Sequence, residues 1–398
     1  MNAPATFAMP HVAEAIDACA PDGFAGAIVL PEHICAAQWD RLAAAAVEPN
    51  VFAERWFAEA SRHLAPPGLR YLTVTAGAQL VALMPVVTAP RYGRLPLRHS
   101  QNWCHYHSFL GTPLIRQGCE AAAWSAMLAT LDRQPGAGAL LHVTGLVDNG
   151  AVHRGLVAAA GQRGRPCDTV HRIERAMLAS DLAPDAYYAA TVRKKKRKEL
   201  ARLRARLAES GTISTRWLAP DEPAGPWIDA FLALEQAGWK GQAGSALGCT
   251  AETAAFFREV VASAHRLGRL DMLRIDRDGV AIAMLVNLLA PPGAFAFKTA
   301  FDETLGRFSP GVLIQLDNLQ ILARDAIDWV DSCAVENHPM INSLWGERRT
   351  IVRVSVPLAG PRNRSLFALV RGLERAAARF RALHARRPAP DNAMESDA

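Results

Sequence analysis

The chain has 398 residues, half of them hydrophobic and 21% charged, a globular composition that excludes a mostly disordered chain. No uninterrupted apolar run reaches the roughly 18 residues a spanning helix needs, which argues against a membrane-embedded protein. The formal charge is +6, and the six consecutive cations Arg193–Lys198 account for all of it, so the basicity is local.

In chain order, residues up to about 25 read as a loose lead-in without the charged start and apolar core of a secretory signal. A strand is expected over 26–30, and helices over 36–47 and 53–63. A hairpin is expected from 69–75 and 79–87 around Gly77. A helix over 121–131, a buried strand over 139–145, a helix over 150–161 and a strand over 172–179 complete the first half. The second half repeats this logic. It opens with one long basic helix over 187–210, then a strand over 212–218 and helices over 227–238 and 251–267. A second hairpin joins 270–276 to 280–289, followed by a strand over 294–300, a helix over 310–323 and a strand over 327–332. A C-terminal helix over 365–386 carries Leu366, Leu369, Leu373, Ala377, Phe380 and Leu383 on one face and is expected to pack by it on the second domain. The tail from Arg387 reads as frayed. Two α/β halves, each with a central hairpin, suggest a duplication.

Seven cysteines stand at irregular spacings without CxxC, which reads as reduced thiols in a cytosolic protein without a structural zinc. Five blocks could carry chemistry. In FKTAFDETLGRFSPGVLIQ (297–315), Ser309-Pro310-Gly311 opens a helix, and Ser is a favoured N-cap and Pro a favoured first helical residue. A helix start presents free N–H groups to an anion, so a diphosphate could sit there, although by themselves the residues favour an ordinary capped helix. In LEQAGWKGQAGSALG (234–248), four glycines follow a helix with Trp239 and Lys240 among them, which reads as a flexible loop over a ligand or a plain solvent loop. In 328–349, Asp331, Glu336 and His338 cluster after a strand, but no nucleophile elbow accompanies them and their spacing matches no metal site. In the basic helix, Leu200, Leu203 and Leu207 mark a buried face, and its cations crowd the start against the dipole preference, which hints at an anionic partner. In RHSQNWCHYHSFLGTP (98–113), His99, His105 and His107 stand with Trp103 and Tyr106, more suggestive of a substrate-facing loop than of a metal site.

Taken in order, RKKKRKELARLRARLAESG, ExxxWKG at 235–241, FKTAFDE…SPG at 297–311 and DSCA at 331–334 resemble the CelD/BioF-like acyltransferases of the GNAT superfamily. The match is best over about 190–335, and the first half is similar to the degenerate first fold of tandem GNAT proteins, to which the FemAB transferases are related. The resemblance implies tandem GNAT-like α/β folds with mixed sheets: a degenerate domain over 1–180, the acyltransferase domain over 181–360, and a helix and tail over 361–398. It further implies acyl-CoA-dependent transfer to an amine on a sugar, a lipid-linked molecule or a small molecule, in cytoplasmic exopolysaccharide or cell-envelope synthesis. The cofactor would lie in a gap between two splayed parallel strands, with its diphosphate at Arg307, Ser309, Gly311 and Val312, although SPG replaces the usual glycine-rich signature. Glu235, Asp302 and Glu303 are the carboxylates that could take the proton from the attacking amine. Trp239, Lys240, Lys298, Arg193, Arg197 and His338 are the expected contacts to an anionic substrate, and no metal is implied. A peripheral membrane contact through the C-terminal helix, a FemAB-like aminoacyl-tRNA donor, and a non-catalytic nucleic-acid or anionic-surface binder are the other readings.

Overall fold

The two expected hairpins become the outer parts of one sheet in the computed structural model, which describes residues 23–385. The lead-in before residue 23 and the tail from Arg387 lie outside those residues. The strands of the first half are β1 (Phe24–Val29), β2 (Arg70–Ala76), β3 (Gln79–Ala89), β4 (His99–Asn102), β5 (Leu114–Ile115), β6 (Leu140–Val147) and β7 (Asp168–Leu178). Those of the second are β8 (Ile213–Trp217), β9 (Leu270–Arg277), β10 (Val280–Ala290), β11 (Gly293–Phe301), β12 (Trp329–Asp331) and β13 (Glu347–Pro357). The helices are α1 (Ala36–Ala44), α2 (Arg55–Ala60), α3 (Glu120–Arg133), α4 (Ala151–Gln162), α5 (Pro184–Thr191), α6 (Lys194–Ala208), α7 (Ala224–Ala237), α8 (Trp239–Gln242), α9 (Ala251–Arg266), α10 (Pro310–Asp317), α11 (Pro339–Asn342) and α12 (Pro361–Ala385).

The sheet order is β1-β2-β3-β4-β6-β13-β7-β12-β11-β10-β9-β8, with β5 beside β3. The order is close to a palindrome about the central β13–β7 pair. All neighbours along it are antiparallel except β4 with β6 and β11 with β12. The register of these two parallel pairs is short, ending at Gln101↔His142 in one and Phe295↔Asp331 in the other, and β6 and β11 run on past it. A gap therefore opens on each side of the centre. β7 comes from the first half yet pairs with β12, and β13 comes from the second yet pairs with β6. Each half thus completes the other's sheet.

Both faces are covered, which is why β10 (VAIAMLVNLLA) is apolar almost throughout rather than alternating. One face of the second half packs Phe295 and Phe297 against Phe231, Phe256 and Phe257 of α7 and α9, with Phe52 and Phe57 from the first half joining them. The opposite face packs Leu273, Ile275 and Leu285 against Leu207 of α6 and Leu313 and Ile314 of α10. In the first half, Trp124, Met127 and Leu128 of α3 and Leu156 of α4 cover Val74, Met84, Val143 and Val354. Full burial of side chains of this size contributes roughly 1.5–3 kcal/mol each.

Three expectations change. The long basic helix is two helices, because Val192 and Arg193 are extended and the buried Val192 turns the chain into the core between them. The C-terminal helix does not pack by its expected face. Phe367 and Val370 are buried against Tyr92 and Leu140 of the first half rather than on the second domain, whereas Leu369, Leu373 and Phe380 are 60%, 49% and 62% exposed; Arg371, held by Asp168 of β7, fixes this placement. The side chain of Leu383 lies outside the described part. Ser309 precedes α10 but makes no side-chain cap, because its backbone is left-handed (φ 54°).

Candidate active site

Parity along β11 decides what faces the gap in the second half. Phe295 and Phe297 point to the α7/α9 face, and Thr299 points to the α10 face, where its hydroxyl accepts from Gln315 Nε2 at 3.3 Å. Strict alternation would send Lys298 to the α10 face as well. A bulge between Val286 and Asn287 on the partner side, which pair with Lys298 and Ala296, places Phe297 and Lys298 on the same face. Lys298 Nζ then lies 2.9 Å from His107 Nδ1, 5.1 Å from the Phe109 ring centre and 5.4 Å from that of Phe297. Its Cα is three residues past Phe295, the last residue paired with β12, so it stands where the gap opens.

Burial lowers the Lys298 pKa from 10.5 to about 8, assisted by the positive charge of Lys240 and opposed by Glu235. Burial also lowers His107 to about 3 and His105 to about 4, with the Lys298 charge adding to both. These imidazoles are neutral at neutral pH. His105 Nδ1 accepts the His107 backbone N–H at 3.2 Å, and His105 Nε2 lies 3.0 Å from Ser61 Oγ, which itself donates to Phe57 O. That pattern assigns the proton of His105 to Nε2. His107 Nδ1, facing the lysine, must be the acceptor, which leaves its Nε2–H as donor. Its ring is stacked on Phe256 at 5.5 Å.

Glu235 of α7 is buried, and both oxygens are engaged: Oε1 accepts from Lys240 Nζ at 2.8 Å and Oε2 from the Leu247 N–H at 2.8 Å. Lys240 also reaches Thr299 O at 3.4 Å. The glycine-rich stretch expected as a flexible loop is therefore folded back over Glu235. Glu303 Oε1 ties it from the other side by accepting the Trp239 N–H at 2.8 Å. Trp239 itself is 57% exposed. Asp302 Oδ1 accepts the N–H (2.9 Å) and hydroxyl (2.6 Å) of Thr304, capping the turn that follows β11. Of the expected acid–base and acceptor residues, Glu235, Lys240 and Lys298 thus come together, whereas Asp302 and Glu303 serve the loop above them.

The remaining expected residues lie elsewhere. Val312, with the first turn of α10, packs on the opposite sheet face. Val312 and Leu313 N–H both donate to Ser309 O (2.9 and 3.1 Å), so neither is free to meet an anion. A Cβ at Gly311 would meet the Phe301 ring at 2.7 Å, so the glycine is required by packing. Arg307 stacks on Phe308 at 4.7 Å beside this turn. Arg193 and Arg197 lie on the same face, at the start of α6, roughly 15–20 Å along the helix from the Leu207 end that packs on Leu305 and Phe308. Arg197 lines a cavity with Tyr188, Arg204, Trp217 and Asp317, and its Nε is buried without a partner. His338 precedes α11 on this face, its Nδ1 also buried and unpartnered.

Sequence reading noted the histidine-rich segment but not its position. Residues 102–113 fill the first half's gap, the counterpart of the one beside Lys298. Asn102 Nδ2 donates to Gly111 O (2.9 Å) and Thr144 O (2.8 Å), its Oδ1 accepts the Thr144 N–H (2.8 Å), and the Gly111 N–H donates to Gly145 O (3.0 Å). A Cβ at Gly111 would lie 2.1 Å from Thr144 O. The plug carries His105, His107 and Phe109 across to Lys298. Arg175 anchors it by donating to Phe109 O at 2.8 Å and to Asp331 Oδ2 at 2.6 Å, and Arg349 also donates to Asp331 at 3.0 Å. Burial pushes the Asp331 pKa up, but the two guanidiniums outweigh it and hold the carboxyl below its usual range. Asp331 is thereby engaged as a central ion pair, away from His338. Among the described residues no group of three or more His, Cys, Asp or Glu is arranged to hold a metal.

Residues 194–338 match the acetyltransferase (GNAT) domain family. That match covers less than half of the chain and makes its second half similar to a GNAT acetyltransferase domain. Its fold is similar to that of FemX, with a TM-score of 0.58 at 9% identity over 85% of this chain and 98% of FemX. A conserved protein of unknown function from Bacteroides thetaiotaomicron VPI-5482 is similar with a TM-score of 0.50 at 12% identity, covering 82% and 98% of the two chains. A tandem GNAT protein from the clavulanic acid biosynthesis pathway is 18% identical with a TM-score of 0.43, over 84% and 99%. No curated protein matches the chain. The expected α/β fold with a mixed sheet is borne out, and the likeness to FemX is one of fold. Among the described residues no helix is long and apolar enough to cross a membrane.

Proposed function

We propose that this protein moves an acyl group from acyl-CoA to an amine, with the donor at the 307–311 turn on the α10 face and the amine on the α7/α9 face. The observation that carries this reading is Lys298, brought by the bulge to the edge of the β11/β12 gap with a pKa of about 8. The Ser309 hydroxyl, which makes no cap, and Arg307 fit one anionic group of the donor. A bound acyl-CoA supplies the activated thioester carbonyl. Lys298, as the neutral amine held by His107 Nδ1, takes the proton that the acceptor nitrogen loses as it forms the C–N bond; the C–S bond breaks and the thiol leaves. A lysine tuned to about 7–8 by burial suits that task near neutral pH. In this reading Glu235 and Lys240 fix the wall beside Lys298, and Asp302 and Glu303 shape the loop. The acceptor is an amine on a sugar, a lipid-linked molecule or a small molecule, in cytoplasmic exopolysaccharide or envelope synthesis.

A thermal-shift series with acetyl-CoA, longer acyl-CoAs and charged tRNA tests the donor. Saturable stabilisation by an acyl-CoA is expected. Stabilisation by charged tRNA alone would favour an aminoacyl-tRNA donor, for which the cations of α6 on the donor face are the supporting feature. Thiol release with an amine panel tests the chemistry: Lys298→Ala should lower kcat at least 100-fold and leave acyl-CoA stabilisation unchanged.

A further inference from the structure

The plug does not close the first half's gap completely. Beside it remains a cavity of about 370 Å³ on the α7/α9 side, bounded by Thr144, Ser108, His171, Arg175 and Arg353. We propose that this cavity is an oxyanion subsite that takes a carboxylate or phosphate group of the acceptor.

Its charge is one-sided, with two guanidiniums, an imidazole and no carboxylate in its walls. Arg175 is only 4% exposed; two of its nitrogens are used by Phe109 O and Asp331, and its Nε is buried without a partner. Arg175 and Arg349 share the carboxylate of Asp331, and Glu48 is the other carboxylate acting on Arg349. A buried guanidinium N–H without a partner is costly, and an incoming oxyanion would meet it with a charge-assisted hydrogen bond. Arg353 and His171 stand exposed at the mouth, paired by backbone across β13 and β7, their side chains in no ion pair or hydrogen bond among the described residues. A cavity of this volume suits a small group rather than a whole coenzyme.

The subsite also lies where an acceptor could use it. Phe109 separates the two places: its carbonyl is held by Arg175 on the cavity side, and its ring lies under Lys298 on the other. An acceptor anchored by its anion at Arg175 and Arg353 would pass over Phe109 to present its amine at Lys298. The role as acceptor subsite rests on the transfer reading above; the anion site itself does not.

The test is a melting-temperature titration of the full chain with sodium phosphate and, separately, sodium acetate at constant ionic strength, with coenzyme A as a third arm. A saturable rise with at least one anion is expected, about 3 °C at ten times Kd, and which anion acts identifies the group. Arg353→Glu combined with His171→Glu should abolish the rise, and Lys195→Glu on α6 should retain it. No saturable rise in the wild type, or an unchanged rise in the double variant, would overturn the proposal. The double variant should keep its coenzyme A response. Loss of that response in the wild type would remove the transfer reading while leaving the anion arms to decide the subsite.

Discussion

Replacing Lys298 with Met should make the protein more stable at neutral pH while removing its transfer activity. The lysine is held as a cation next to Lys240 and among Phe109, Phe297 and Phe256, and its pKa drops from 10.5 to about 8. A folded-state pKa below the unfolded value means the unfolded chain binds the extra proton between pH 8 and 10.5. Stability of the wild type therefore rises with pH across that window, and the penalty is complete below about pH 8. Each pH unit of the window is worth about 1.4 kcal/mol, so the cation costs the fold about 3 kcal/mol at pH 7. Met has a similar length and no charge, so Lys298→Met should recover much of this, less the lost hydrogen bond to His107, about 1 kcal/mol. Urea denaturation of both proteins at pH 6, 7, 8.5 and 9.5 reads the difference. The variant should lead by about 2 kcal/mol at pH 6 and 7, and the lead should shrink steadily above pH 8. A difference that stays flat over that range would refute the burial argument, and with it the case for Lys298 as a proton acceptor at neutral pH.

The wild-type transfer rate should climb with pH and level off above about 8, as the Lys298 ammonium loses its proton; initial rates from pH 6 to 9.5 measure this, and a rate that falls as Lys298 deprotonates would instead require the cation. Asp331→Ala should cost about 3–5 kcal/mol, because it leaves Arg175 and Arg349 buried without their counter-charge, and calorimetry of the variant reads it. Because the folded pKa of Asp331 is depressed, its contribution is present above the usual carboxylate value of 3.8 and is lost as pH falls below it, so acid titrations of the wild type and Asp331→Asn should converge at low pH. Gly111→Ala should destabilise by about 3 kcal/mol, since Thr144 O sits 2.1 Å from the new Cβ and is backbone that cannot swing away. A chain ending at Gly346 lacks β13, so it should lose both halves in one collapse rather than retain a folded first half, as limited proteolysis would show.

The hairpins, the apolar strands and most helices were legible because each is set by neighbours in sequence: a Gly-containing turn between β2 and β3, the continuous apolar run of β10, the 3.6-residue spacing of Leu200, Leu203 and Leu207. The order of the acyltransferase motifs was legible for the same reason. Strand β13 was not, because ERRTIVRVSVP reads as a strand only once β6 and β7 flank it and bury its apolar side. The rotation of α12 was misread because Arg371 and its partner Asp168, far away in sequence, select which stripe turns inward.

The candidate site shows the same division. Sequence alone marked Lys298, Glu235 and Lys240 as residues of interest, and it read the histidines of 99–107 as part of a substrate-facing loop. It could not say that one extra residue in β11 turns Lys298 to the other face, since a bulge is defined only against the partner strand. Nor could it place His107, 191 positions away, within a hydrogen bond of that lysine. Chemistry-bearing residue types are a local property of the chain. Their pKa values and partners depend on burial and on charges that only the folded sheet brings together.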